Sequence, residues 1–376
     1  MTTKIEVNAP AKGYQDVRAI VLEELRAQEK HQHLFIPGVF GPPGIGKSDM
    51  MLDICIELQR TFRPQNTGDN SDPSDIAGIA VPQGLLEAYG NQYAKTAADT
   101  NALRTPEVQK IVWALNRAAA EACEEAVMLF FDDIDKAPPI VAAGLVGLFG
   151  TRSFRDYRLH KDSLLVAAGN RLGDDVLASE MSESLRGRMT IIELVPNLKD
   201  FVGFAKENPD DVHPAVVTFL QAYPEYLFAL PKEGEYRNPN PRSYVELSRL
   251  LYDIPESRWD GAVARKVGQS TAVTWKKWFN ILAKIDLNAI LYQGELPKEE
   301  NPLKARQLNY GAMFRLLQHI VTSEIKEGWT GLEKFIGSLE PEFRVAMLVQ
   351  IPQAKRSQLA SKYEGAAELI METLIK

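Results

Sequence analysis

The sequence predicts an α/β protein: a three-layer domain built on a parallel sheet, followed by a helical part. Three observations predict it. Apolar runs of strand length, VMLFF at 127–131, LLVAA at 164–168 and MTIIEL at 189–194, alternate with segments of helical periodicity. These runs lack polar alternation, as strands covered on both faces by helices require. Beyond Pro196 the texture is helical, with turn breaks and no strand-like run.

The chain has 376 residues, 45% hydrophobic and 25% charged, with 22 Pro and 25 Gly, an ordinary globular composition that excludes collagenous or wholly disordered readings. That length suits two or three domains. The texture places them at 1–195 (α/β), 196–300 (helical) and 301–376 (a helical C-terminal extension). The 43 basic and 50 acidic residues leave a net charge of −7, and no polybasic run is present, which disfavours nonspecific binding to duplex nucleic acid. The two cysteines, Cys55 and Cys123, fall in apolar helical patterns and predict buried thiols in a reducing compartment. The start, MTTKIEVNAP, has no apolar leader, and the longest weakly polar stretch, Ala137 to Gly150, is too short and too rich in Pro and Gly to span a bilayer. A cytoplasmic protein with no membrane partner is the expectation.

In chain order, Val17, Ile20, Val21 and Leu25 recur at helical spacing and predict an amphipathic helix over Gln15–Glu29. A short apolar run, Leu34 to Phe40, follows; its Pro37 and Gly38 confine the expected strand pairing to Val39 and Phe40. Thr61 to Gln83 is dense in Pro, Gly, Asn, Asp and Ser and reads as a long exposed loop with one brief extended segment. Thr105 as N-cap, Pro106 in the first turn and the face Val108, Ile111, Val112, Leu115, Ala118, Ala119, Ala122 predict a helix before Val127. Helical periodicity over Ala262–Ile285 places Trp275, Trp278 and Phe279 on one face, as core packing.

One segment carries chemistry outright. Gly41, Pro42, Pro43, Gly44, Ile45, Gly46, Lys47 and Ser48 spell GPPGIGKS, which satisfies G-x-x-x-x-G-K-[ST] between a strand and a helical stretch. The glycines let successive N–H groups turn inward on phosphate oxygens. Lys47 adds a mobile positive charge for the β and γ phosphates, Ser48 a hydroxyl ligand for Mg²⁺, and the following helix directs its positive end at the anion. Asp132, ending the VMLFF strand, falls at the carboxyl edge of the sheet, where with Ser48 it can hold the metal; Asp133 then lies beside the γ-phosphate, able to polarise the attacking water. His31 and His33 lack further ligand residues nearby and predict no zinc site, and Asp72 and Asp75 read as loop-capping acids.

These motifs, with LFFDDIDKAPP at 129–139, LLVAAGNR at 164–171, LRGRM at 185–189 and NPRSYVELSRLL at 240–251, resemble an AAA+ ATPase of the MoxR type. DPSDIAGIAVP at 72–82 resembles that branch too, so the likeness spans about residues 15–255. It implies that 1–195 is an AAA+ P-loop nucleotide-binding domain and 196–300 its helical lid. It implies ATP and Mg²⁺ as ligands and ATP hydrolysis as the activity. Asn170 takes the place of the sensor 1 residue that orients the lytic water, and Arg188 that of an arginine finger presented to a neighbouring subunit, with Arg186 the close competitor. Arg242 takes the place of the sensor 2 arginine that joins lid to nucleotide. Two positions depart from the family pattern: Asp133 stands where Glu is usual, a retraction of roughly 1.5 Å that can cost about a hundredfold in rate, and Met189 stands where an aromatic commonly follows the finger.

The resemblance further implies a homo-oligomeric ring, hexameric by analogy, that remodels a partner protein, in this family often one with a von Willebrand A domain. Two other classes stay open: a nucleic-acid motor or loader, using ATP or GTP, and a binding-only assembly switch in which Asp133 is ineffective.

Overall fold

The structure, a computed structural model, describes residues 12–31, 36–70, 72, 74–82, 111–174, 178–230, 236–295, 299–325, 328–339, 344, 347–348 and 350–363. The chain divides into two compact units, Met1–Val195 and Pro196–Lys376. Among the described residues strands occur only in the first.

The first unit runs α1 (Tyr14–His31), β1 (Ile36–Phe40), α2 (Lys47–Glu57), β2 (Thr61–Asn66), α3 (Ser74–Ala77), β3 (Ile79–Pro82), β4 (Ile111–Ala114), α4 (Arg117–Glu124), β5 (Val127–Asp132), α5 (Pro139–Thr151), β6 (Ser153–Phe154), β7 (Tyr157–Arg158), β8 (Leu164–Gly169), α6 (Glu183–Arg186) and β9 (Met189–Glu193). Five strands form a parallel sheet in the order β2-β5-β8-β1-β9. One face packs Phe40, Leu129, Phe131 and Leu165 against Ala119 and Ala122 of α4 and Val141, Leu145 and Leu148 of α5. The other packs Val39, Met128, Phe130 and Val166 against Val17, Val21 and Leu25 of α1 and Met50, Met51 and Ile54 of α2. The two faces take alternate residues of the same strands, which is why β5 and β8 read as unbroken apolar runs. This is the three-layer P-loop α/β architecture that the sequence predicts, with helices after it.

Three local expectations are corrected. The predicted helix before Val127 is a strand followed by a shorter helix: Ile111–Ala114 pairs antiparallel with Ile79–Pro82, and α4 begins only at Arg117. The β-prone Ile-Val-Trp run finds a partner strand, and Asn116, whose side chain accepts from Ala119 N–H at 2.8 Å, supplies the cap. Thr105, Pro106 and Val108 lie outside the described residues, as do His33, Leu34 and Gln83. Thr61–Asn66 is not loop but the edge strand β2, where a ladder tolerates Pro64. β1 pairs with β9 from Ile36 onward and with β8 only from Gly38, so the pairing starts earlier than Val39, with Pro37 near the strand's beginning. The helical periodicity over 262–285 is carried by two helices, α10 (Trp259–Val267) and α11 (Gln269–Leu282), separated by Gly268 at φ 101°, a left-handed-side value that breaks the helix.

In the second unit α7 (Leu198–Glu207), α8 (Pro214–Ala222), α9 (Pro241–Asp253), α10, α11, α12 (Pro302–Thr322), α13 (Leu332–Ser338) and α14 (Gln353–Lys362) surround a single core. Trp275 and Trp278, both fully buried, pack on Phe219 with ring centroids 5.0 and 5.7 Å away. The partition expected at 300/301 falls inside this core: Tyr310, Met313 and Phe314 of α12 belong to the same cluster as Phe219 and Trp278. α12 buries its apolar face there.

A buried glutamine completes the sheet. Upstream of Gly38, β8 has no β1 partner; Gln28 of α1 donates from Nε2 to the Leu165 carbonyl at 2.9 Å and accepts the Leu165 N–H at 3.0 Å. Gln28→Leu strands both backbone groups, and each unsatisfied buried group costs about 1–3 kcal/mol. We expect a loss of about 2–4 kcal/mol in the unfolding of the first unit, read by urea denaturation, and an unchanged midpoint would refute the pairing role.

Candidate active site

The loop between β1 and α2 owes its path to three glycines. A Cβ on Gly41 would lie 2.3 Å from the Leu194 carbonyl oxygen and 2.8 Å from Ile45 Cδ1, so no larger residue fits. Gly44 and Gly46 hold φ of 77° and 87°, values that L side chains rarely adopt. Ile45 is buried and anchors the loop among Val39, Met50 and Leu194, while Pro42 is buried and Pro43 exposed. Helix α2 starts directly after Gly46, so its free N–H groups open onto the loop.

The Lys47 ammonium is buried, its residue only 7% exposed, and it donates to three oxygens: the Gly41 carbonyl (2.7 Å), the Pro42 carbonyl (2.9 Å) and Asn170 Oδ1 (3.0 Å). Burial pushes its pKa down to about 8, against the opposing pull of the Asp132, Asp135 and Asp133 carboxylates. The Ser48 hydroxyl donates to Asp132 Oδ2 at 2.6 Å. This pair offers hard oxygen donors, a hydroxyl and a carboxylate, which is the donor chemistry that Mg²⁺ takes. Ser48 and Asp132 therefore fit the metal, and the glycine loop with its buried lysine fits a phosphate chain.

Asp132 closes β5 and Asp133 follows in the left-handed region, φ 52°, with its N–H on Asp132 Oδ1 at 3.0 Å. The Asp133 carboxylate is held at both ends: Asn170 Nδ2 donates to Oδ1 at 3.3 Å and Lys136 Nζ to Oδ2 at 3.3 Å. Asn170, 5% exposed at the end of β8, thus lies between Lys47 and Asp133. The predicted residues Lys47, Ser48, Asp132, Asp133 and Asn170 come together because β1, β8 and β5 are adjacent in the sheet and end at the same edge.

Arg188 and Arg186 are placed elsewhere. Arg188 is half-buried at the start of β9, donates from Nη1 to the Ser184 carbonyl at 2.7 Å and runs past α5, where a Cβ on Gly150 would sit 3.0 Å from its Nε. Arg186 is exposed at the end of α6. Among the described residues neither makes a hydrogen bond or ion pair with the five residues above. Arg242 belongs to the second unit, exposed in the first turn of α9, whose N-terminus is fixed by a reciprocal cap: Asn240 Oδ1 accepts from Ser243 N–H (2.9 Å) and Ser243 Oγ from Asn240 N–H (3.0 Å).

Three residues escaped the sequence reading. Thr67, fully buried, donates its N–H to the Asp132 carbonyl (3.0 Å), and its hydroxyl lies 2.9 Å from the carbonyls of both Asp132 and Asp133. Its only signal is the register Asn66↔Asp132, invisible without the β2–β5 pairing. Lys136 and Asp135 lie within LFFDDIDKAPP, which assigns neither a role of its own; Asp135 is 2% exposed and burial pushes its pKa up. Asp72 and Asp75 cap their own turn, with Asp72 Oδ1 on Ser74 N–H at 2.8 Å and Asp75 Oδ2 on Asp72 N–H at 3.0 Å.

No helix among the described residues is long and apolar enough to cross a membrane. No family model matches the chain, and no curated protein matches it. Among solved structures, the RuvB Holliday junction branch migration motor of Thermotoga maritima is similar at 16% identity over 83% of this chain and 90% of that one, with a TM-score of 0.38. Two further RuvB structures from that organism show 17% identity, one over 77% of this chain and 80% of that one (TM-score 0.38), the other over 83% and 90% (0.39). The fold stated above stands on the chain's own strand order and layers.

Proposed function

We propose that this chain is a Mg²⁺-dependent ATPase of the AAA+ class and MoxR type, acting as a homo-oligomeric, hexameric ring that remodels a partner protein. The observation that carries the hydrolytic part is the meeting of Lys47, Ser48, Asp132, Asp133 and Asn170 at one sheet edge beside a glycine loop. The loop N–H groups and the Lys47 ammonium bind the triphosphate, and the ammonium can trade the Gly41 and Pro42 carbonyls for phosphate oxygens. Ser48 and Asp132 hold magnesium, which when bound neutralises phosphate charge. Asp133 polarises the attacking water and accepts its proton, and Asn170 presents a neutral amide that orients it.

The ring-level roles rest on the resemblance. Arg188, with Arg186 as competitor, acts on the nucleotide of a neighbouring subunit, where a planar guanidinium neutralises charge on the transferred phosphoryl group. Arg242 couples the helical unit to the nucleotide state. A partner with a von Willebrand A domain and a cytoplasmic location belong to the same reading, and the absence of a polybasic run keeps nucleic acid second.

Lys47→Ala removes the charge-assisted contacts and should weaken ATP binding on the order of a hundredfold in equilibrium titration; wild-type affinity would refute the phosphate cradle. Asp133→Asn should keep binding and lose about a hundredfold or more in single-turnover hydrolysis, the size of a general-base contribution. Unchanged hydrolysis in that variant removes the general-base role of Asp133; no hydrolysis in the wild-type chain removes the ATPase reading and leaves a binding-only switch. For the trans role, Arg188→Ala rings should bind ATP without turning it over, and mixing with Asp133→Asn subunits should restore part of the activity. Mixed rings that stay inactive, while Arg186→Ala rings can be rescued, would move the finger to Arg186.

A further inference from the structure

The orientation of the Asn170 amide is set by charges on both sides. Its Oδ1 accepts from Lys47 Nζ at 3.0 Å, and its Nδ2 faces two carboxylates, Asp133 Oδ1 at 3.3 Å and Asp135 Oδ2 at 3.5 Å. Turned over, the amide would set its oxygen against both acids and its NH₂ against the ammonium, so one orientation is strongly favoured. Asp135 also fixes the backbone at that point, because its Oδ1 accepts the Asn170 N–H at 2.8 Å. The strand end is shaped for this approach: a Cβ on Gly169 would lie 2.7 Å from Asp135 Oδ1. Asp135 is held in turn, its carbonyl accepting both the N–H and the hydroxyl of Ser179. A carboxylate only 2% exposed is costly to keep, and beyond its own backbone N–H the donors that meet it are the two N–H groups of one neutral asparagine.

We propose that Asp135 is a positioning residue for hydrolysis: it locks the Asn170 amide with Oδ1 on Lys47 and Nδ2 on Asp133, tying the phosphate-binding cation to the water-polarising acid. This rests on the hydrolytic reading above. Asp135 itself touches neither phosphate nor water in this role, so its whole effect passes through Asn170.

The test is a double-mutant cycle with a second readout that needs no nucleotide. Asp135→Asn keeps the shape but turns one acceptor into a donor, which faces an Asn170 donor. It should retain ATP affinity within about threefold and lose at least about tenfold in single-turnover rate, as Asn170→Ala does, while the double variant is no slower than Asn170→Ala alone by more than about twofold. In nucleotide-free protein labelled with ¹⁵N-asparagine, the Asn170 side-chain pair, assigned by its loss in Asn170→Ala, should shift and exchange faster with solvent in Asp135→Asn, with the pairs of Asn197 and Asn301 unmoved. Should Asp135→Asn fail to fold, Asp135→Ser, which can still accept the Asn170 N–H, takes its place in the same cycle. Fully additive losses, or an unmoved Asn170 pair, overturn this proposal and leave the ATPase reading standing; a wild-type chain without hydrolysis overturns both.

Discussion

The constraint on which the first unit depends is the burial of one ammonium. Removing a cation from water is costly, and Lys47 is stable there only because two loop carbonyls and one amide oxygen surround it. Each acceptor has its own structural requirement. The Gly41 carbonyl reaches Lys47 because the chain turns where any side chain would strike Leu194. The Asn170 oxygen reaches it because β8 lies beside β1 and ends level with it, Phe40 opposite Gly169. The acids at the end of β5, one strand further, then temper the field: burial lowers the lysine pKa, and Asp132, Asp135 and Asp133 draw it back up.

The sheet order does the rest. With β8 between β1 and β5, Asn170 stands between the lysine and the acidic pair and bonds to both sides. The edge strand β2, in register with β5 through Asn66↔Asp132, delivers Thr67 to the carbonyls of Asp132 and Asp133. Two acidic residues in sequence, the second in the left-handed region, leave carbonyls that a regular ladder does not satisfy, and a buried threonine takes them. A polar group ending a strand can thus be structural even beside residues proposed to bind ligand.

Legibility in the sequence followed the range of the interaction involved. The glycine loop, Lys47, Ser48 and the Asp132–Asp133 pair were readable because their chemistry is written in consecutive residues with fixed φ and charge requirements. Strands β5 and β8 were readable because burial on both faces removes polar alternation. By contrast, Ile111–Ala114 presented an apolar face compatible with a helix, and only pairing with Ile79–Pro82, about thirty residues away, makes it a strand. β2 was hidden by Pro64, which an edge position tolerates and a central one does not. Gln28, Thr67 and Asp135 act through partners 137, 65 and 35 residues distant, and no local pattern marks them.

The departure at Asp133 has a local physical setting. The residue holds φ 52°, a region that aspartate enters more readily than most side chains because its short carboxylate can bond to nearby groups. Here that carboxylate spans Asn170 and Lys136. A glutamate on the same backbone would carry one more rotatable methylene and reach further from the strand end, past the distances at which both donors now meet the carboxylate. The shorter acid and the two donors therefore form a matched set: reach is given up, and a fixed carboxylate orientation is gained. For the hydrolysis proposed above, in which rate would depend on where the accepting oxygen points as much as on how far it extends, this orientation would offset part of what the lost methylene removes.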